Sequence, residues 1–409
     1  MIANLPTTEA PQVSESVVLQ QESKSGYQVD LSRGTTNTRV SSQWYARPPD
    51  ERFLSLDELY EHTKSVAQAS RADIIDSHKI QVVASDEHTL QLNLPQGEEV
   101  KPTHWSFGQM CSLIEAPASY MHRLPAQIAG INLQHGLCDH RAEKLKSYTI
   151  QQKNGDTHLE LRAMTGPDYG RIYDWEVVES ARKILVEDGG QWKVPGVMDW
   201  GSKVYDPHTP VTPESTTLFA SDRDVFMFLV DDLNPIEIGK LENGEPDLLF
   251  RGCYLWNSEV GSRSLGMATM YLRAVCANRI LWGVENFQEV TMRHSRLAPD
   301  RFLMKLQPAL KSFHDAGTSR VLSGIKSARE AIVAEDDDAR QSFLREHKFS
   351  IKATKEIIAD VTESEGHPPK SIWDFVQGIT HHAQKRKHQD VRLNQEREAK
   401  KILDKIKVY

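Results

Sequence analysis

The 409-residue sequence predicts an α+β fold: an antiparallel sheet with packed helices, a β-β-β-α core and a helical C-terminal region. Three observations carry this. Apolar runs flank Asn-Gly turn signals at Asn154–Gly155 and Asn243–Gly244, the pattern of hairpins. The continuous apolar run "DVFMFLVDD" suits a central strand, buried on both faces. Beyond Leu297 the chain is charged and helical in pattern to its end.

The elements follow in order. Residues 1–40 are polar, with little periodic apolar content, and are expected to form a flexible tail. Residues 41–297 are expected to form the α+β core, and 298–409 a helical region. Ser55 with Glu58 three residues later has the spacing of a capping box. "KIQVVASDEHTLQLNL" reads as two short strands around a polar turn at Ser85–His88. In "SFGQMCSLIEAP" Ser106 and Gln109 repeat the capping spacing, and Pro125 punctuates the helical stretch that follows. "YDWEVVESARKILVEDGG" is an amphipathic helix with Asp174 as its expected cap and two glycines at its end.

The stretch Gly261–Trp282 is expected to be a helix. At 100° per residue Leu265, Ala268, Leu272, Val275 and Cys276 share one stripe, and Met267, Met270, Ala274, Ala277 and Leu281 fill much of the opposite face. A helix apolar on both faces is sandwiched between layers, yet this one carries Arg263, Arg273 and Arg279. Two readings stay open for these arginines. One is a structural ion pair, such as Arg273 with Glu259 or Glu285. The other is a phosphate clamp at the sheet–helix edge, where the guanidinium fork suits a polyanion.

Composition bounds the function. The chain is 39% hydrophobic and 26% charged, in the range of globular proteins, and its net charge of −8 argues against a protein coated in polyanion. A local basic groove is compatible with that balance. Cys111, Cys138, Cys253 and Cys276 have neither a disulfide-framework pattern nor zinc spacing. Cys253, Cys276 and His294 match no standard metal site. No apolar run has the length of a membrane span and the N-terminus lacks a signal-peptide pattern, so the expected location is cytoplasmic, away from membranes.

Asp222, Asp224, Asp231 and Asp232 bracket the long apolar strand, with Asp168, Asp174 and Glu176 upstream. Clustered acids can hold Mg²⁺, although acids beside strands more often serve as caps and turns. Tyr169, Arg171 and Tyr173 alternate aromatic and cation on a loop before a helix, a pattern suited to stacking on unpaired bases. No phosphate-binding loop, dinucleotide fingerprint, nucleophile elbow or HExxH helix is present. From Gln384 to Tyr409 nine Lys/Arg stand against four Asp/Glu, most simply a solvated helix face.

Several segments together resemble the phage- and plasmid-borne family known as domain of unknown function 932. They are "SFGQMCSLIEAPASYMHRLP", "GPDYGRIYDWEVV", "LFASDRDVFMFLVDD", "YLWNSEVGSRSLGMATMYLRAVCANRILWG" with "RHS" after it, and "SIWDFVQGITHHAQ". The resemblance runs from about Trp44 to the C-terminus, and Asn278–Arg279 departs from the usual Asn-Gly. It implies a mobile-element origin. The order of hairpin, long strand and small-residue helix also resembles the β-β-β-α layout of single-strand annealing proteins such as RecT, Erf and Redβ. That layout implies ATP-independent binding of single-stranded DNA, without a cofactor, by a homo-oligomer.

On this reading Arg263, Arg273 and Arg279 meet phosphates, Tyr169 and Tyr254 stack bases, Asn257 and Ser258 offer hydrogen bonds, and Arg171 belongs to the same nucleic-acid-binding set. Two alternatives remain. One is a metal-dependent enzyme on nucleic acid or nucleotides, using Asp168, Asp222, Asp224 and His294. The other is a protein-interaction factor that counters host defence.

Overall fold

The computed structural model describes residues 49–139, 143–152, 158–183, 192–195, 210–213, 216–240, 244, 246–273, 279–280, 290–315, 317–384, 395, 398–399, 401–403 and 405. The tail expected over 1–40 and most of the basic C-terminal run lie outside them.

In chain order, β1 (Arg52–Phe53) and α1 (Leu56–Gln68) precede β2 (Ser70–Asp76), β3 (Gln81–Ala84), β4 (Leu90–Asn93) and β5 (Glu99–Pro102). Helices α2 (His104–Leu113), α3 (Ala118–Met121) and α4 (Ala126–Cys138) follow, then β6 (Lys144–Gln152), β7 (His158–Thr165) and α5 (Asp174–Arg182). Next come β8 (Leu218–Ala220), β9 (Val225–Lys240), β10 (Pro246–Asn257), β11 (Leu265–Arg273), β12 (Arg279–Ile280) and β13 (Val290–Met292). After β13 come α6 (Ala298–His314), α7 (Ser319–Glu330), α8 (Asp337–Glu346), α9 (Ile351–Glu365) and α10 (Ile372–Gln384). The fold is α+β with a helical C-terminal region.

The contacts divide the chain into two compact units. The described residues of the first lie in Ala69–Pro167, and those of the second in residues 49–68 and Asp168–Tyr409. The first unit has a six-stranded mixed sheet of order β2-β6-β7-β5-β4-β3, in which only β5 and β7 pair in parallel. Phe107 and Met110 of α2 and Leu133 and Leu137 of α4 bury fully against Leu92, Val100 and Leu161 of the sheet. The start of α2 corrects the capping expected at Ser106. Thr103 is the cap, its side chain accepting the Ser106 N–H at 3.1 Å, and Gln109 instead accepts the Met164 N–H at 3.0 Å. A hydroxyl one turn earlier captures the same free amides, so spacing alone misplaces the helix start.

The second unit is built on a seven-stranded antiparallel sheet of order β1-β8-β9-β10-β11-β12, with β13 also on β11. The long apolar run is central, as expected: β9 pairs with both β8 and β10. Helix α1 begins as its sequence predicts, with Ser55 Oγ accepting the Glu58 N–H at 3.1 Å. Phe302, Leu306 and Phe313 of α6 share a core with Met227, Leu229 and Leu255 of the sheet, and the later helices add Ile325, Leu344, Ile357 and Phe375.

Leu265–Arg273 is a strand, not the first half of a helix. It pairs with β10 residue for residue, from Leu249↔Arg273 to Trp256↔Gly266. The small-residue pattern has a cross-strand cause: a Cβ at Gly266 would collide with the indole ring of Trp256, its partner in register. A strand buried on both faces shows the same mixture of apolar and small residues as a sandwiched helix. The β-β-β-α order expected for the core therefore has a strand as its fourth element over Leu265–Arg273. Positions 274–278 and 281–289 lie outside the described residues.

Candidate functional site

Five of the eight predicted site residues meet at one end of the second unit's sheet, where β10 runs out. Asn257 Nδ2 donates to the Ile172 carbonyl and to Asp174 Oδ1, both at 2.8 Å. Asp174 in turn donates its N–H to Glu259 Oε2 at 3.3 Å. Ser258 Oγ donates to the Arg223 carbonyl at 2.5 Å and accepts the Ser262 N–H at 2.9 Å. A turn of positive φ at Gly261 (86°) folds this segment back on itself, its N–H reaching the Ser258 carbonyl at 3.2 Å.

The Tyr169–Tyr173 loop closes over this turn. The Tyr169 hydroxyl donates to the Ser258 carbonyl at 3.2 Å, and Arg171 Nη1 donates to the Glu259 carbonyl. Arg263 is held by Asp224, Nε to Oδ2, at 2.6 Å. Asp174 is the first residue of α5, not its cap. The adjoining Tyr173 N–H is satisfied by Glu176 Oε2 at 3.1 Å, which frees the Asp174 carboxylate for Asn257.

Asn257, Ser258 and Glu259 are completely buried. Buried polar groups need partners inside the protein. Here main-chain carbonyls and carboxylates serve Asn257 Nδ2, Ser258 Oγ and the Asp174 N–H, while Asn257 Oδ1 accepts no hydrogen bond among the described residues. The cluster therefore works as a lock between two loops and the sheet end, with its bonds directed inward.

The lock presents something else. His294 stacks on Tyr169 with centroids 5.1 Å apart, and its Nδ1 lies 3.2 Å from the Gly170 carbonyl. The Gly170 N–H donates to the His294 carbonyl at 3.2 Å, and a Cβ at Gly170 would overlap the Ser295 carbonyl oxygen. Glycine is required there by close backbone approach. Burial pushes the His294 imidazole down to about 4, so it sits neutral in the fold. Burial likewise raises the Tyr169 phenol.

From this anchor the chain emerges as the surface segment 293–305. Arg293, Arg296, Arg301 and Lys305 are exposed and, among the described residues, make no ion pair. Exposed Leu297 (47%), Leu303 (40%) and Met304 (69%) lie between them. None of these four cations is among the residues the sequence singled out as a site. Their signal was present: four basic residues against one acid, Asp300, where α6 turns its buried stripe of Phe302, Leu306 and Phe313 inward.

The other predicted residues lie elsewhere. Arg273 is 3% exposed and pairs with Asp247 through Nε at 2.7 Å and Nη2 at 2.9 Å, and with Glu365 through Nη1 at 2.6 Å. The expected partner Glu259 is engaged in the lock, and Glu285 lies outside the described residues. Arg329 joins the same Asp247 at 2.8 Å, and both guanidiniums lie over the Trp373 ring, at 5.9 and 5.4 Å. This knot ties β10 and β11 to α7, α9 and α10. Tyr254 is buried between Phe226 and Phe228, at 5.8 and 5.0 Å, as a core aromatic. Arg279 belongs to β12, and its side chain lies outside the described residues.

Asp231 accepts from Asn234 and pairs with Arg251, while Asp224 holds Arg263 and accepts from Ser221. Cys253 is fully buried, with its thiol raised by burial, and Cys276 lies outside the described residues. Among the described residues no group of three or more His, Cys, Asp or Glu side chains is placed to hold a metal ion. None of the described helices is long and apolar enough to cross a membrane. No protein-family model, curated protein or solved structure matches the chain.

Proposed function

We propose that the protein binds single-stranded nucleic acid, as an ATP-independent factor of a mobile element, through the exposed face of residues 293–305. The observation that carries this is the set of four cations, Arg293, Arg296, Arg301 and Lys305, without ion-pair partners among the described residues. Local charge is strongly positive in a chain whose net charge is −8. Such a strip attracts phosphates while the remaining surface repels them, which confines binding to one face. Exposed Leu297 and Met304 between the cations offer apolar contact to unpaired bases, which a closed duplex keeps stacked. Strand annealing is the activity to assay next.

The test is fluorescence anisotropy of a labelled 20-nucleotide DNA strand (about two turns of duplex length) across a salt series. The Arg296→Glu/Arg301→Glu/Lys305→Glu variant is expected to bind at least ~30-fold more weakly, with a shallower log–log salt slope. Unchanged affinity in a folded variant overturns the assignment to this face. The apolar residues between the cations also suit an acidic protein partner. Absence of oligonucleotide binding even at low salt, with the fold intact, favours that reading.

A further inference from the structure

The first unit ends its sheet at β3, an edge strand, and the pairing there leaves specific main-chain groups on the open side. The Ser85 N–H donates to the Thr89 carbonyl at 3.0 Å, so by alternation Val83 and Gln81 exchange hydrogen bonds with β4. Val82 and Ala84 consequently direct their N–H and C=O groups outward. One such pair is already occupied. Gln134 of α4 accepts the Val82 N–H through Oε1 at 2.7 Å and donates Nε2 to the Ile80 carbonyl at 3.0 Å. A side-chain amide offers one donor and one acceptor in the same sense as a backbone peptide, so Gln134 imitates one residue of an added strand.

Beyond Gln134 the edge is open. The Val82 carbonyl and both main-chain groups of Ala84 face a groove of about 530 Å³ between β3 and α4, lined by Val82, Ala84, Gln127, Gly130, Ile131 and His135. Ile131 is 70% exposed at its rim. The ends differ in charge. Exposed Glu87, whose carbonyl accepts the Ala126 N–H at 2.9 Å, stands where β3 finishes and α4 begins. At the other end Lys79 is paired with Asp76 at 3.0 Å, and His135 is exposed beside Gln134.

From this we infer that the β3–α4 groove takes an extended peptide as an additional, antiparallel strand. Main-chain bonds to the Val82 carbonyl and to both groups of Ala84 would hold it, and an apolar side chain would lie against Ile131. An antiparallel occupant begins beside Glu87 and ends where Gln134 fills the edge, near His135. The matching peptide therefore carries a cation near its N-terminal end and apolar residues at alternate positions. This inference concerns a different unit from the proposed nucleic-acid face and stands or falls separately.

The test uses the full chain and a labelled synthetic peptide, acetyl-Lys-Val-Thr-Val-Thr-Glu-amide, with three controls. These are its charge-reversed counterpart, acetyl-Glu-Val-Thr-Val-Thr-Lys-amide, a version N-methylated on the amides that would pair, and the variant Ala84→Pro. Proline at Ala84 removes an outward N–H and leaves the β3–β4 ladder intact, so the fold is expected to survive. The expected result is micromolar-to-millimolar binding of the first peptide. It weakens at least ~5-fold on charge reversal, and at least ~5-fold on N-methylation or in Ala84→Pro, taking a paired main-chain bond as worth about 1–1.5 kcal/mol. Equal binding of the N-methylated peptide, or no binding of any peptide at millimolar concentration, overturns the inference. So does concentration-dependent dimerisation that Ala84→Pro abolishes, because the edge would then be filled by a second copy.

Discussion

Two sets of cations on the second unit show how differently the same side chains are used. Arg171, Arg263 and Arg273 point inward, each engaged by a carbonyl or a carboxylate. Arg293, Arg296, Arg301 and Lys305 stand exposed, one just before and three after His294, the histidine that packs on the Tyr169 loop. The inward set couples segments distant in sequence. Arg273 reaches Glu365 across 92 positions, and Arg171 reaches Glu259 across 88. The lesson is that an arginine's role follows from what the fold places opposite it. A buried guanidinium contributes mainly by not being left alone, whereas an exposed one is available to a polyanion.

The comparison can be broken most forcefully at Asp247. Asp247→Ala leaves Arg273 and Arg329 facing each other over Trp373 without their shared carboxylate, and should destabilise the unit by about 3–5 kcal/mol in chemical denaturation. A loss below about 1 kcal/mol would mean that the knot contributes little and that Arg273 is available for other work. Gly170→Ala comes next. Its methyl group must displace the Ser295 backbone, which should cost about 2–3 kcal/mol and shift the 293–305 segment, weakening oligonucleotide binding together with stability.

Acid acts on the same contact from the other side. His294 is held down to about 4 by burial, while the unfolded chain takes up its proton near 6.5. Its contribution is intact above pH 6.5 and is lost as pH falls through 4, because the unfolded state binds the proton first. Allowing for its partial exposure, the loss should be on the order of 1–2 kcal/mol, read as a falling urea midpoint. His294→Phe, which keeps a ring on Tyr169, should flatten that pH dependence, and an unchanged slope would assign it to other groups. At the small end, the triple glutamate variant of the exposed cations should unfold within about 0.5 kcal/mol of the wild type. A larger change would move those residues into the structural set.

How legible this was from sequence differs by element. The Ser55–Glu58 start of α1, the β3–β4 hairpin and the central placement of β9 depend on neighbours within a few positions, and each was readable. Asn257, Ser258, Tyr169 and Arg171 stood out as residue types, but neither their meeting at one sheet end nor their burial was readable. The exposed cations were harder to see. Arg293, Arg296, Arg301 and Lys305 become distinctive only once α6 turns Phe302, Leu306 and Phe313 inward and, among the described residues, no acidic partner pairs with them.

The sequence by itself determined that the chain makes an α+β fold with a helical C-terminal region, because periodicity, turn signals and caps are local properties. It did not determine that Leu265–Arg273 is a strand. Small and apolar residues on both faces satisfy either geometry, and the decision came from β10, whose Trp256 ring fills the space that Gly266 leaves open. Nor did it choose partners for the arginines. Asp224, Asp247 and Glu365 lie 39, 26 and 92 positions from the guanidiniums they hold. Only the folded sheet and the helices over it bring those charges within a few ångströms, where removal from water makes pairing obligatory.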